Sequence, residues 1–152
     1  MRSLWDAAQD NHPVTRLAAQ EALKQLTSGG FTVDAGGDSP LHGFQVGGLR
    51  KPTTYGTASN SWGEDDVLHA LRFQYDTHRD LYEQHHGRVY MGGWKDGEGR
   101  LVVEPSENIG EREAAVQAGH DRNQESVWDV EGADTIDTEG TGEWRENHEP
   151  LE

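Results

Sequence analysis

Eight histidines and 28 carboxylates make metal binding and proton transfer the first chemistries to weigh in this chain. His78 and His85 lie seven residues apart, so a helix would carry them on one face with Glu83 and His86 nearby. A zinc site on a helix asks for ligands at i and i+4, a third ligand, and outer partners that orient them. Only the shared face is met, so His78, His85 and His86 read as ordinary helix residues and no metal is assigned. For acid/base work the candidates are Glu104, Glu107, Glu111, Asp121 and Asp129. Carboxylates are so abundant that closeness in sequence singles none of them out. No GxSxG or Ser-His-Asp arrangement fixes a nucleophile, and cysteine is absent. No catalytic residue is assigned, and the chain reads as leaning away from enzymes.

The glycine-rich stretches "GGDSPLHG" and "MGGWK" match neither GxxxxGK[ST] nor GxGxxG opening a helix, so no cofactor is implied. Gly92 and Gly93 inside a strand mark a bulge or a close backbone approach instead. Trp94 and Trp128 read as half-buried sheet residues, whereas an exposed tryptophan pair would indicate a partner surface. "HDRNQ" at 120–124 crowds polar groups at a helix end, where Asn123 can adopt the left-handed geometry that terminates helices. The candidate interaction surface is Trp62, Trp94, His120, Asp121 and Asn123.

The elements that must position these groups follow from pattern. Residues 1–30 read as helical, with Pro13 in a first turn and Val14, Leu17, Ala18, Leu23 and Leu26 as an apolar face, stopped by Gly29 and Gly30. "FTVDA" and "GFQVGG" read as strands, and "LRKPTTYGTASNSWG" as an irregular loop. The longest helix spans about 64–86: Val67, Leu71, Tyr75, His78 and Tyr82 recur at helical spacing, and Glu64, Asp65 and Asp66 lie at its positive end. Arg88 to Lys95 and Arg100 to Glu104 form a hairpin through "DGEG", with Pro105 ending the ladder. Asn108 and Glu111 resemble a capping box for a short helix ending near Asn123, and "SVWDV" supplies a last strand. These readings predict an α+β domain over 1–130, a small mainly antiparallel sheet of about five short strands packed by one long and two or three shorter helices.

Charge is lopsided. Five acids balance five bases through Asn60, leaving 23 acids against 8 bases beyond it, for a net charge of −15. Such a field repels phosphate backbones, which disfavours ordinary nucleic-acid binding and favours basic partners or simple colloidal solubility. Ten of the thirteen cations are arginine, the mark of a GC-rich genome. No apolar run approaches the roughly 20 residues needed to span a bilayer, and no signal peptide opens the chain. The expectation is a protein without membrane contact or general secretory export. Residues 131–152 hold eight acids, one base and widely spaced apolar groups, and read as an extended or disordered acidic tail.

"GGFTVD" at 29–34, "YMGGW" at 90–94, "EPSENIGEREAAVQAGHDRNQESVWDV" at 104–130 and "IDTEGTG" at 136–142 resemble an uncharacterised family of small proteins and domains of actinobacteria and their tailed bacteriophages. About half the chain is covered. Glu139 stands where the family pattern has a glycine, and "TASNSWGEDD" is a polar insertion. The resemblance implies no catalytic residues. It implies a non-enzymatic phage or phage-derived protein, most simply a minor structural or accessory component of the virion, in the particle or the host cytoplasm. An acidic inhibitor that mimics nucleic acid in a basic groove of a host or defence protein is the alternative, and an enzyme with no recognised motif is a third.

Overall fold

The computed structural model describes residues 11–57 and 61–144. Its centre is a hairpin of β4 (Val89–Lys95) and β5 (Leu101–Ile109), paired in unbroken register from Val89↔Glu107 to Lys95↔Leu101. The turn closes on Asp96, whose Oδ1 accepts from the N–H groups of Glu98 and Arg100, both at 2.9 Å. β1 (Gly30–Val33) adds to the far side of β4. β2 (Phe44–Val46), β6 (Ser126–Asp129) and β7 (Asp134–Asp137) extend the sheet in the order β1-β4-β5-β2-β6-β7. β3 (Thr53–Tyr55) pairs only β5, on the same side as β2. Every pairing is antiparallel. The α+β class therefore holds, with seven strands where the pattern predicts about five.

Four helices are described: α1 (Arg16–Leu26), α2 (Glu64–Thr77), α3 (Arg79–Gln84) and α4 (Arg112–Asp121). α1 begins at Thr15, whose hydroxyl accepts the Ala18 N–H, and it buries the small residues Ala18, Ala19 and Ala22 completely. Small side chains let α1 lie close against α2 and β1 while Leu17 points to solvent. The main core unites them with Phe31, Val33, Leu71, Met91, Leu101 and Val103; each large apolar side chain removed from water contributes about 1.5–3 kcal/mol. α4 covers a second cluster of Val46, Ala115 and Val127, with Phe44, Ile109 and Ile136 at its margin. No bulge forms at Gly92 or Gly93, where the ladder is unbroken; a Cβ on Gly93 would overlap the Phe31 ring and crowd the Val102 carbonyl of the neighbouring backbone.

Several elements differ from the pattern, each for a physical reason. Pro105 does not end β5, which runs four residues further to Ile109. The Asn108 N–H donates to Arg88 O on the β4 side, so by alternation the odd-numbered residues of β5 direct their backbone groups the other way. Pro105 thus places its missing N–H in the gap between β3 and β2, where no ladder bond is lost. The long helix is broken at His78, with φ −121° and ψ 34°. The Thr77 hydroxyl turns back to Phe73 O at 2.8 Å, a contact that bends helices. After the elbow Tyr82 stacks on Tyr75, ring centroids 5.4 Å apart. Asn108 is a strand residue bonded to His42 O and Gln45 Oε1, and Glu111 is the N-cap of α4.

The largest correction concerns the acidic tail. Residues 131–144 belong to the fold: β7 pairs β6 from Ser126↔Asp137 to Asp129↔Asp134, and Thr138 is 2% exposed. The Thr138 hydroxyl donates to Gln124 O, and the Thr138 N–H donates to Glu125 O at 3.0 Å. Strand pairing and a few anchored polar groups do what a run of apolar residues was expected to be needed for. Residues 1–10, the first part of the predicted N-terminal helix, and 145–152, the end of the tail, lie outside the described residues, as do 58–60 of the polar insertion.

Candidate protein-contact site

The sheet leaves one edge beside an aromatic groove. Thr53 and Tyr55 face β5 through their backbones, being opposite Val103 and Leu101, so alternation turns the N–H and C=O of Thr54 outward. No other strand pairs β3 among the described residues. An unpaired strand edge is a template for another extended chain. Alongside it runs a groove of about 500 Å³, walled by β3 and α2 and lined by Tyr55, Trp62, Asp66, His69 and Phe73 among others.

Local sequence explains the shape of this groove. Gly63 starts α2, its N–H held by Asp66 Oδ2 at 3.0 Å, and Glu64, Asp65 and Asp66 fill the first turn where negative charge is favoured. Arg16 reaches from α1 to Glu64 at 2.9 Å and Asp65 at 2.8 Å. Its guanidinium holds the Asp65 carboxyl below the usual range, although such solvent-exposed pairs contribute little stability. Trp62 is 9% exposed and donates its indole N–H to Gly99 O at 2.8 Å, tying the hairpin turn to the start of α2. Phe73, at 59% exposure, stands edge-on to Tyr55 with centroids 6.0 Å apart. Burial pushes the Tyr55 hydroxyl up to about 12, so it stays protonated and donates to Gln74 Oε1 at 3.3 Å. Gln74, fully buried, donates in turn to the Tyr82 hydroxyl at 3.4 Å.

The other residues of the candidate surface are dispersed. Trp94 and Trp128 are 39% and 40% exposed and share the sheet face opposite the helices, since Trp94 lies opposite Val102 while Trp128 pairs Gln45, which pairs Asn108. They sit on β4 and β6, three strand spacings or about 14 Å apart across the sheet, and so form no contiguous pair. Asn123 faces its own chain, and His120, though exposed, bonds to it. His120 Nδ1 lies 3.2 Å from Thr138 O, and Asn123, 5% exposed with φ 56°, donates to Thr141 Oγ1 at 2.6 Å and accepts from Thr141 N at 3.0 Å. Asp121 accepts from Gln117 within α4. Asn123 does end its helix in the left-handed conformation; its side chain then holds residues 141–143 in place. Of the sequence-read candidates, Trp62 alone lines the groove. Tyr55 and the β3 edge carry no signal because "TTY" is too short to show a period; Phe73, which helical spacing places with Leu68 and Leu81 beside the apolar stripe of the helix predicted over 64–86, is turned out to the groove instead.

Proton chemistry is concentrated elsewhere. Glu107, 1% exposed, receives Arg88 and Arg122 on opposite oxygens, the latter at 2.6 Å. Glu104 lies on the same strand under the 47–48 backbone, where a Cβ on Gly47 would overlap its carboxyl. Burial pushes that carboxyl up to about 7, opposed by the Gly48 N–H. A carboxyl poised near neutrality suits a general acid, but Glu104 lines neither the groove nor the smaller cleft described below. His78 is held below the ordinary histidine value by burial, with the Arg50 charge adding to it. Among the described residues no group of three or more His, Cys, Asp and Glu side chains is placed to hold a metal ion, and no helix is long and apolar enough to cross a membrane. No family model, curated protein or solved structure matches the chain.

Proposed function

We propose that this is a non-enzymatic protein that works through protein contacts, pairing an extended segment of a partner with the outer edge of β3 and seating its side chains in the adjoining groove. The observation that carries the reading is the unpaired β3 edge beside Tyr55 and Phe73. Strand addition takes affinity from backbone hydrogen bonds and specificity from pockets for alternate side chains. With a net charge of −15 and Asp66 on the groove wall, a basic segment is favoured over an acidic one. The resemblance to actinobacterial and phage proteins supplies the setting: a minor structural or accessory component of a virion, acting in the particle or the host cytoplasm. A second reading, an acidic mimic of nucleic acid that occupies a basic groove, draws on the excess of acids after Asn60.

A random-peptide library selected on the full chain tests the first reading. Thr54→Pro removes the outward N–H while sparing the pairing to β5, and Phe73→Ala strips an exposed ring from the groove. Selected peptides should bind the parent, protect the Thr54 amide from hydrogen exchange, and bind both variants at least about tenfold more weakly, a loss of about 1.4 kcal/mol. Peptides that bind the variants as well as the parent would refute it. Binding that depends steeply on salt but ignores both substitutions would favour the mimic.

A further inference from the structure

A second opening lies between the turn after β1 and the α2–α3 elbow, and it shares no lining residue with the β3 groove. We propose that this cleft binds the guanidinium tip of an arginine side chain from a partner protein. The cleft holds about 270 Å³, with Val89, Met91, Tyr75 and Tyr82 as an apolar and aromatic lining and Asp34 and Glu83 among its polar groups. A long aliphatic stem ending in a flat cation matches that combination: the stem covers apolar surface, and the cation meets the Tyr82 ring and the carboxylates, the Tyr75 ring being already taken by Tyr82 and Arg79.

The protein already uses this chemistry beside the cleft. The guanidinium carbon of Arg79 stands 5.1 Å from the Tyr75 ring centroid while donating to Glu83 Oε1 at 3.2 Å and Asp76 Oδ1 at 2.6 Å. Arg79 thereby serves Glu83 and Asp76 together, one cation for two carboxylates, and Asp34 has no ion pair among the described residues. Its Oδ1 is occupied by the N–H groups of Gly36 at 3.0 Å and Asp38 at 2.8 Å, which fix the carboxylate at the end of β1. The charge left at this end of the cleft is negative, so an anion is repelled and a neutral group leaves the Asp34 carboxylate unused. Arginine is favoured over lysine because a planar guanidinium stacks on a ring and forks onto a carboxylate together.

The test is an NMR titration of the full chain with n-butylguanidinium, with the neutral n-butylurea as control. n-Butylguanidinium should shift the Met91 methyl and Tyr82 ring signals saturably, and n-butylurea should bind at least roughly threefold more weakly, the factor expected of one cation–π contact. Asp34→Asn keeps the Oδ1 that holds the turn and removes the charge; it should weaken n-butylguanidinium by a similar factor. Glu83→Gln is the second variant and should weaken it in the same direction. Equal binding of the two probes, binding unaffected by both substitutions, or an absence of saturable shifts at Met91 and Tyr82 would overturn the proposal. None of these outcomes bears on the β3 edge, so the two readings fail separately.

Discussion

Replacing Glu104 by Gln should remove most of a pH dependence that burial builds into this fold. Glu104 is 7% exposed, takes the Gly48 N–H, and has no ion pair among the described residues. Burial therefore favours its protonated form and raises the carboxyl from an ordinary 4.5 to about 7. The sign follows from proton counting. With the folded value above the unfolded one, the folded state binds more protons, so Glu104 costs nothing below pH 4 and destabilises progressively between about 4.5 and 7. The interval corresponds to about 3 kcal/mol, fully expressed by pH 8. Asp65 and Asp80, held low by Arg16 and Arg50, act in the opposite direction, but they contribute equally to both proteins and cancel in the difference. Urea unfolding of the parent and of Glu104→Gln at pH 4, 6 and 8 measures it. The gap between the two stabilities should shift toward the variant by about 3 kcal/mol from pH 4 to pH 8. Parallel pH profiles would refute the reasoning, because they would mean that the Glu104 carboxyl is hydrated or paired in solution.

Three further outcomes follow from the same geometry. Ending the chain at Val130 removes β7 and uncovers Val127 and Ala115, so it should lower stability by several kcal/mol and the melting temperature by more than about 10 °C; a shift of a few degrees would show that the docked tail is dispensable. Glu139 has φ 62°, a conformation that costs a non-glycine residue about 1–2 kcal/mol, so Glu139→Gly should raise the unfolding midpoint in urea. A lowered midpoint would mean that the Glu139 side chain makes up for the backbone cost. Gln74→Leu leaves the Tyr55 and Tyr82 hydroxyls without their common partner and should cost about 1–3 kcal/mol, read by thermal unfolding; a neutral effect would show that the Tyr55–Gln74–Tyr82 bridge is idle.

Much of the scaffold was legible because its signals are local. The Val67, Leu71 and Tyr75 spacing announces α2, and "DGEG" announces the hairpin. What failed to show were features that depend on partners distant in sequence. Pro105 ends a strand by propensity, yet it sits where β5 faces a gap between two neighbours. β7 is too polar to announce itself, and pairing with β6 decides its conformation. Asn123 ends its helix as its tolerance of the left-handed conformation predicts, but only the returning chain shows what its amide holds.

The sequence alone determined the local preferences and the charge: which segments favour helix or hairpin, and the excess of acids beyond Asn60. Tertiary structure decided everything set by who lies beside whom. It left β3 with an open edge against Tyr55 and Phe73, enclosed Glu104 beneath Gly47 and Gly48 without a cation, and brought Asp34 to the same cleft as Tyr82. Backbone propensity acts over a few residues, whereas desolvation, strand pairing and charge proximity act between segments that meet only when the chain is folded.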